Sequence, residues 1–250
     1  MLAFFGHHKC TVTSTSGIVG GICKMLNIVH SRTFHTPSLF NYNLEAYCKG
    51  HNIDFLSYIN ADYKYVESLN FHKAFHIIRD PRDIVISAYF SHKNTHSPND
   101  WPELIEQRRK LNNVSIDEGL LLTIEFLEKL SVNGVEVPLF RCLDTWDYTR
   151  DNILELKYED YIKDEEKTWH EILNFLEIYD KLTKENFNGI VASASFKRLS
   201  QGRENGTENI HSHYRKGISG DWQNYFKDEH IKIFETKYFN LLKKIGYQTS

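Results

Sequence analysis

The sequence predicts an α/β fold: a single domain with a central parallel sheet flanked by helices, and a P-loop-like loop after the first strand. Three observations predict it. Short apolar runs of strand length recur at residues 2–5, 53–59, 71–78 and 152–157. Stretches with apolar residues at helical spacing separate them. Strands joined through helices run parallel and carry helices on their faces. The third observation is composition. The chain has 250 residues, 41% hydrophobic and 25% charged, which suits one sizeable core and excludes a disordered chain, a collagen-like fibre and a coiled coil. Only five prolines and no Gly/Ser-rich linker interrupt it, so residues 1–250 are expected to form one domain.

In order along the chain, residues 2–5 read as a buried strand and 6–13 as a polar loop. Residues 14–29 read as a helix carrying Ile18, Ile22, Met25, Leu26 and Val29 on one side. Residues 44–49 read as a short helix, 53–59 as a strand, 63–69 as a helix and 71–78 as a second strong strand. That strand stops at Arg79-Asp80-Pro81-Arg82-Asp83. There Asp80 can cap a helix whose first residue is Pro81, running to about Ser91. Helices follow at 101–111 and 115–130, an inner strand at 152–157, and helices at 165–176, 184–192 and 229–243. Ligands of such sheets bind beyond the carboxyl ends of the strands. The loops after Phe5, Ile59, Ile78 and Lys157 are therefore expected to line the site.

Charge narrows the function classes. A net charge of -3 argues against a nucleic-acid partner, so any anion site must be a local patch. No window of eighteen apolar residues exists, so no membrane span is expected. The start of the chain lacks a basic n-region and a long apolar stretch, so no signal peptide is expected either. Cys10, Cys23, Cys48 and Cys142 form no CxxC pair and read as reduced thiols, which places the chain in the cytoplasm.

Three segments are built to meet anions. Gly6-His7-His8-Lys9-Cys10-Thr11-Val12-Thr13-Ser14 leaves a strand and enters a helix. Backbone N–H groups and the helix dipole favour an anion there. Lys9 adds a full charge, and Thr11, Thr13 and Ser14 add hydroxyl donors. The loop lacks the Gly-Lys-Ser/Thr ending of a Walker A motif. In the second segment Arg79 ends a buried strand and Ser87 follows eight residues later, so the two could pinch one phosphate. A structural pairing of Arg79 with Asp80 or Asp83 is the plainer alternative. The third segment, Tyr214-Arg215-Lys216-Gly217-Ile218-Ser219-Gly220-Asp221-Trp222, sets two cations before a glycine that permits close backbone approach.

In this order the segments resemble the cytosolic sulfotransferase family, which uses 3′-phosphoadenosine 5′-phosphosulfate (PAPS). Lys9 to Ser14 is similar to the family's 5′-phosphosulfate loop, Lys-Ser-Gly-Thr-Thr-Trp. Arg79 to Ser87 resembles its 3′-phosphate segment throughout. Arg215 to Phe226 resembles its late Arg-Lys-Gly-x-x-Gly-Asp-Trp motif. Tyr158-Glu159-Asp160 and Ser195-Phe196 resemble segments whose rings face adenine. Three departures stand out. Thr11 replaces the loop glycine, Ser14 replaces a tryptophan, and the family's Lys-Thr-His-Leu-Pro segment with its catalytic histidine is absent. Ile59-Asn60-Ala61-Asp62 stands at that strand end instead.

The resemblance implies in-line sulfuryl transfer from PAPS to a hydroxyl or amine of a small organic acceptor, leaving 3′-phosphoadenosine 5′-phosphate (PAP), with no metal. It implies that residues 9–14 (Lys9, Cys10, Thr11, Val12, Thr13, Ser14) hold the phosphosulfate and that Lys9 stabilises the leaving oxygen. Arg79, Ser87, Arg215, Lys216 and Gly217 would hold the 3′-phosphate, and Tyr158 and Phe196 the adenine. For the base that takes the acceptor's proton, Asp62 stands first, as the acid nearest the expected position. It could equally be a helix N-cap. His8 is second and the pair His92 and His96 third, while a zinc site at that pair lacks a third ligand. Two alternatives remain: a non-catalytic PAP- or PAPS-binding module, and a P-loop nucleotide kinase.

Overall fold

The computed structural model describes residues 1–99 and 101–248. In chain order the elements are β1 (Leu2–Gly6), α1 (Val12–Leu26), β2 (His30–Phe34), α2 (Leu44–Gly50), β3 (Phe55–Ile59), α3 (Tyr63–Val66), β4 (Lys73–Ile78) and α4 (Pro81–Phe90). A π-helical turn (Ser91–Thr95) continues α4. Then come α5 (Glu103–Leu111), α6 (Ile116–Glu128), a hairpin of β5 (Ser131–Val132) and β6 (Val135–Glu136), α7 (Leu139–Thr145), β7 (Ile153–Lys157) and α8 (Tyr158–Lys163). The chain closes with α9 (Glu165–Phe175), α10 (Lys184–Ser193), α11 (Phe196–Leu199), α12 (Asp228–Thr236) and α13 (Phe239–Lys244). Two compact units emerge: Met1–Ile78 with Trp146–Asn205, and Arg79–Thr145 with the chain from Gly206 on.

The first unit holds the sheet. Its order is β2-β3-β1-β4-β7, and every pairing is parallel. Both faces are buried, as parallel strands require. Phe4, Phe55, Phe75 and Leu156 face α1, α9 and α10 through Ile18, Ile22, Trp169, Leu173 and Ile190. Ala3, Phe5, Leu56, Tyr58 and Ala74 face the other way, against Leu44, Cys48, Val66 and Trp146. Adjacent strands β1 and β3 send the chain to opposite faces of the sheet, to α1 and α3. The carboxyl ends of β1, β3, β4 and β7 share one edge, as the sequence implied, and form the topological switch point.

The second unit is helical. α4 and α6 cross closely at Gly119, where an added Cβ would lie 2.5 Å from Tyr89 Cε2. α7 meets α12 and α13 through Phe140, whose ring lies 4.4 Å from that of Tyr238.

Some boundaries differ from expectation. α1 begins at Val12 and stops at Leu26, because Asn27 turns left-handed (φ 53°). The long helix expected at 229–243 is two, α12 and α13, broken where Tyr238 tucks into the core (7% exposed). β2 is unforeseen: as an edge strand it leaves Arg32 and Phe34 exposed, so no apolar run marks it. Among the described residues no helix is long and apolar enough to cross a membrane.

Candidate functional site

The loop after β1 is shaped by its own hydrogen bonds. A side chain at Gly6 would crowd Phe4 and Val12, which allows only glycine at this strand exit. The Cys10 N–H donates to the His7 carbonyl (3.1 Å), and the Cys10 thiol is buried. Lys9 and Thr11 adopt left-handed backbone, φ 62° and 53°. Thr11 holds the position where the family pattern has glycine, and its backbone takes the glycine-like conformation. Two bonds support it. Ser14 Oγ donates to the Thr11 carbonyl (3.0 Å) and lies 2.7 Å from Thr11 Oγ1, from which it accepts. α1 starts here with no acidic residue in its first turn. Its leading N–H groups and dipole favour an anion, and Thr13 is exposed on that turn.

Beneath this loop His7 is buried at 1% exposure. Its ring stands edge-on to His76 (4.9 Å) and to Trp146 (5.8 Å). His76 stacks on Trp146 at 4.1 Å and bonds Glu155 through Nδ1 (2.7 Å). Trp146 Nε1 donates to the same carboxylate (2.8 Å). Burial, and secondarily His76, hold the His7 imidazole well below its usual range, so it stays neutral.

Two further parts of the sheet unit carry the rings expected at adenine. Tyr158 opens α8 directly after β7 and is 9% exposed. Phe196 opens α11, capped by Ser195, with the Arg203 guanidinium 5.5 Å from its ring. Glu165, first residue of α9, accepts the Phe196 N–H, yet burial pushes its carboxyl up to about 7.

In the helical unit the remaining cations gather. Arg79 is buried and donates to the Ile218 carbonyl (3.2 Å). Asp80 caps α4 and pairs with Arg82 through three contacts of 3.0, 3.2 and 2.7 Å. The Arg82 guanidinium lies 3.9 Å over the Trp222 ring. Asp83 accepts the N–H groups of Gly220 (2.6 Å) and Trp222 (3.0 Å), fastening the late segment to α4. Burial pushes its carboxyl up against the pull of Arg79 and those two amides.

Arg215 pairs with Glu208 and Asp221, and Lys216 Nζ lies 2.6 Å from Asp221 Oδ1. Burial would raise the Asp221 carboxyl, but bonds from Lys216, Arg215 and Asn224 outweigh it and hold the group below its usual range. The Arg215 guanidinium also covers the Phe90 ring at 4.5 Å. Ser87 lies one turn beyond Asp83 and one turn before Phe90, on the helix side that the 215–222 segment covers. Gly217 takes φ 65°. Thus Arg79, Ser87 and Arg215–Lys216–Gly217 share one neighbourhood. Asp83 and Asp221, which sequence reasoning gave no binding role, position them. The signal was their place inside both motifs.

The expected bases are dispersed. Asp62 is the N-cap of α3, its Oδ1 accepting the Lys64 N–H at 3.0 Å. His8 is half-buried in the same turn as Lys9. His92 and His96 belong to an aromatic box with Trp101 and Phe126. Among the described residues no group of three His, Cys, Asp or Glu side chains could hold a metal ion. His35, unforeseen because β2 was, lies at the end of that strand with Nδ1 2.5 Å from Tyr58 Oη.

A family model described as the sulfotransferase domain matches residues 65–246. Human sulfotransferase 2A1 is 26% identical over 190 residues, covering 69% of this chain and 59% of that protein. The 3-alpha-hydroxysteroid sulfotransferase of Cavia porcellus is 29% identical over 185 residues, covering 70% of this chain and 57% of that protein. The matched region thus spans less than two thirds of the length of these curated relatives. In fold, the chain is similar to mouse sulfotransferase SULT7A1, solved in complex with PAP, with TM-score 0.63 and 18% identity over 96% of this chain and 84% of that one. It is also similar to retinol dehydratase, solved with androsterone and PAP, with TM-score 0.56 and 18% identity over 97% of this chain and 80% of that one. With the family model matching well over half of its length, the chain belongs to the sulfotransferase domain family.

Proposed function

We propose that this chain is a PAPS-dependent sulfotransferase that moves a sulfuryl group to a hydroxyl or amine of a small organic acceptor and releases PAP. The observation that carries the reading is a set of contacts within the family's motifs: Arg215 and Lys216 pair with buried Asp221, Asp83 of α4 accepts the Gly220 and Trp222 N–H groups, and Arg79 donates to the Ile218 carbonyl. These residues suit a phosphate that does not react, whose binding energy positions the donor. Lys9, Thr13 and the leading N–H groups of α1 suit the 5′-phosphosulfate. Cys10, Thr11, Val12 and Ser14 give that loop its shape. Negative charge grows on the bridging oxygen as the S–O bond breaks, and Lys9 is the cation to meet it. Tyr158 and Phe196 would flank adenine.

Residues 1–250 would then serve as one catalytic domain. The names of the relatives, hydroxysteroid sulfotransferase among them, support a small hydroxyl-bearing acceptor. Four buried cysteine thiols accord with a reducing compartment, the cytoplasm. The test is calorimetric titration with PAP, followed by transfer of labelled sulfate from PAPS to a panel of alcohols, phenols and amines. Binding of neither PAP nor PAPS would sink the reading. A second reading, a PAP-binding module without turnover, is favoured by one observation: Ser14 is committed to bracing Thr11. It predicts PAP binding with no transfer to any acceptor.

A further inference from the structure

Lys9 occupies a backbone position that suits lysine poorly. The Cys10 N–H donates to the His7 carbonyl (3.1 Å), so residues 7–10 form a hydrogen-bonded turn with His8 and Lys9 at its centre. Of those two only Lys9 has a positive φ, 62°, the pattern of a type II turn, which favours glycine or asparagine at that place. A side chain held there persists only when its surroundings impose it. The restraint comes from the ends of the turn, where His7 and Cys10 are both buried.

His7 continues the face of β1 that carries Phe5. His76 of β4 stands opposite Phe5, and Glu155 of β7 stands opposite His76. The Glu155 carboxylate bonds His76 Nδ1 through one oxygen (2.7 Å) and accepts Trp146 Nε1–H through the other (2.8 Å). One carboxylate thus fixes two rings. Both rings meet that of His7 edge-on, His76 at 4.9 Å and Trp146 at 5.8 Å. Burial holds His7 neutral, so it serves here as a packed ring. Neither His7 Nε2 nor His76 Nε2 has a protein partner. Buried polar atoms left in that state weaken a fold. Stability alone therefore does not account for histidine at both positions.

We infer that Glu155 is a positioning residue for Lys9, acting through His76, Trp146 and His7 on the turn that carries the lysine. The inference rests on the sulfotransferase reading above, in which Lys9 meets the charge growing on the leaving oxygen. A cation does this well only when it is held in place before the bond breaks. A misplacement of about 1 Å can cost about 10²-fold in rate. All of these residues belong to the sheet unit, so the whole support lies within one compact body.

The test places Glu155→Ala and Glu155→Gln in two backgrounds, wild type and Lys9→Ala. Single turnovers of labelled PAPS, with the best acceptor of the panel above, give the rate, and calorimetry with PAP gives the affinity. With Lys9 present, Glu155→Ala should lower the rate by about tenfold to 10²-fold. In Lys9→Ala the same change should cost under about twofold, since a residue that acts through Lys9 has nothing left to act on. PAP affinity should change little in either background. Glu155→Gln keeps one carbonyl acceptor, so its loss should be smaller, and it carries the test if Glu155→Ala fails to fold. Equal losses in both backgrounds reveal a general packing role and overturn the inference. So does an unchanged rate, or a fall in PAP affinity as large as the fall in rate. Each of these leaves the transferase reading intact. A wild-type protein that binds PAP but sulfates no acceptor overturns the inference together with the transferase reading. One that fails to bind PAP overturns the donor site as well.

Discussion

Thr11 sits at φ 53°, where a β-branched side chain is strained by about 1–2 kcal/mol. Its hydroxyl bond to Ser14, and the Ser14 bond to its carbonyl, offset part of that cost. The two residues therefore predict opposite outcomes. Thr11→Gly relieves the strain while losing one bond, whereas Ser14→Ala loses both bonds and keeps the strain. Thermal melts should rank Thr11→Gly above Ser14→Ala by about 1–2 kcal/mol; the reverse order would show that the loop is not strained at Thr11. Residue roles in the transfer separate in the same way. Lys9→Ala is expected to slow turnover by about 10²–10³-fold with little change in PAP affinity. Arg215→Ala is expected to weaken PAP binding by an order of magnitude or more, since it removes a charge-assisted contact to a group that never reacts. Equal losses of PAP affinity in both variants would contradict the role given to Lys9.

At the scale of elements, α9 and α11 meet through one titrating contact. Glu165 at the start of α9 accepts the Phe196 N–H, and burial raises its carboxyl from 4.5 to about 7. Between those values the folded chain keeps a proton that the unfolded chain has released. Stability from this group is therefore present at low pH, declines as pH rises across that window, and is gone above it. Glu165→Gln is neutral at every pH and can still accept the Phe196 N–H. Its melting temperature should fall less than that of wild type between pH 5 and pH 8, and an identical fall in both proteins would rule this contact out as the cause. A second contact is steric. Gly119→Ala should cost about 1–3 kcal/mol by forcing α6 off Tyr89 of α4, as read from a urea midpoint. The elements most legible in sequence were those with an apolar signature, β1, β3, β4, β7 and the amphipathic α1 and α9. β2 escaped because an edge strand needs few apolar residues. α7 and α8 escaped because short helices placed by packing have little periodicity of their own.

Across the whole molecule, the motif residues were legible and their supports were not. Lys9, Arg79, Ser87 and Arg215 could be read from spacing. That Asp83 and Asp221 hold the late segment and its cations could not, since an aspartate in a motif looks the same as one on a surface. On the proposed reading, those supports would let a chain of net charge -3 offer a site to a polyanion. Arg215 and Lys216 are held by Asp221 in the structure, so little of the binding energy would be lost to ordering them. A whole-molecule consequence follows by mass action. At a PAP concentration one hundred times its dissociation constant, the folded state should gain about 2.7 kcal/mol. For a chain of this size that corresponds to a rise of roughly 5–10 °C in Tm. The rise should survive chelation of divalent metals, because in the proposed site Arg79, Arg215 and Lys216 would supply the charge that a metal would otherwise bring. It should also be lost in Arg215→Ala at the same PAP concentration. A rise produced equally by ATP with magnesium, or one abolished by EDTA, would point to a metal-dependent phosphate site and against the donor assigned to this chain.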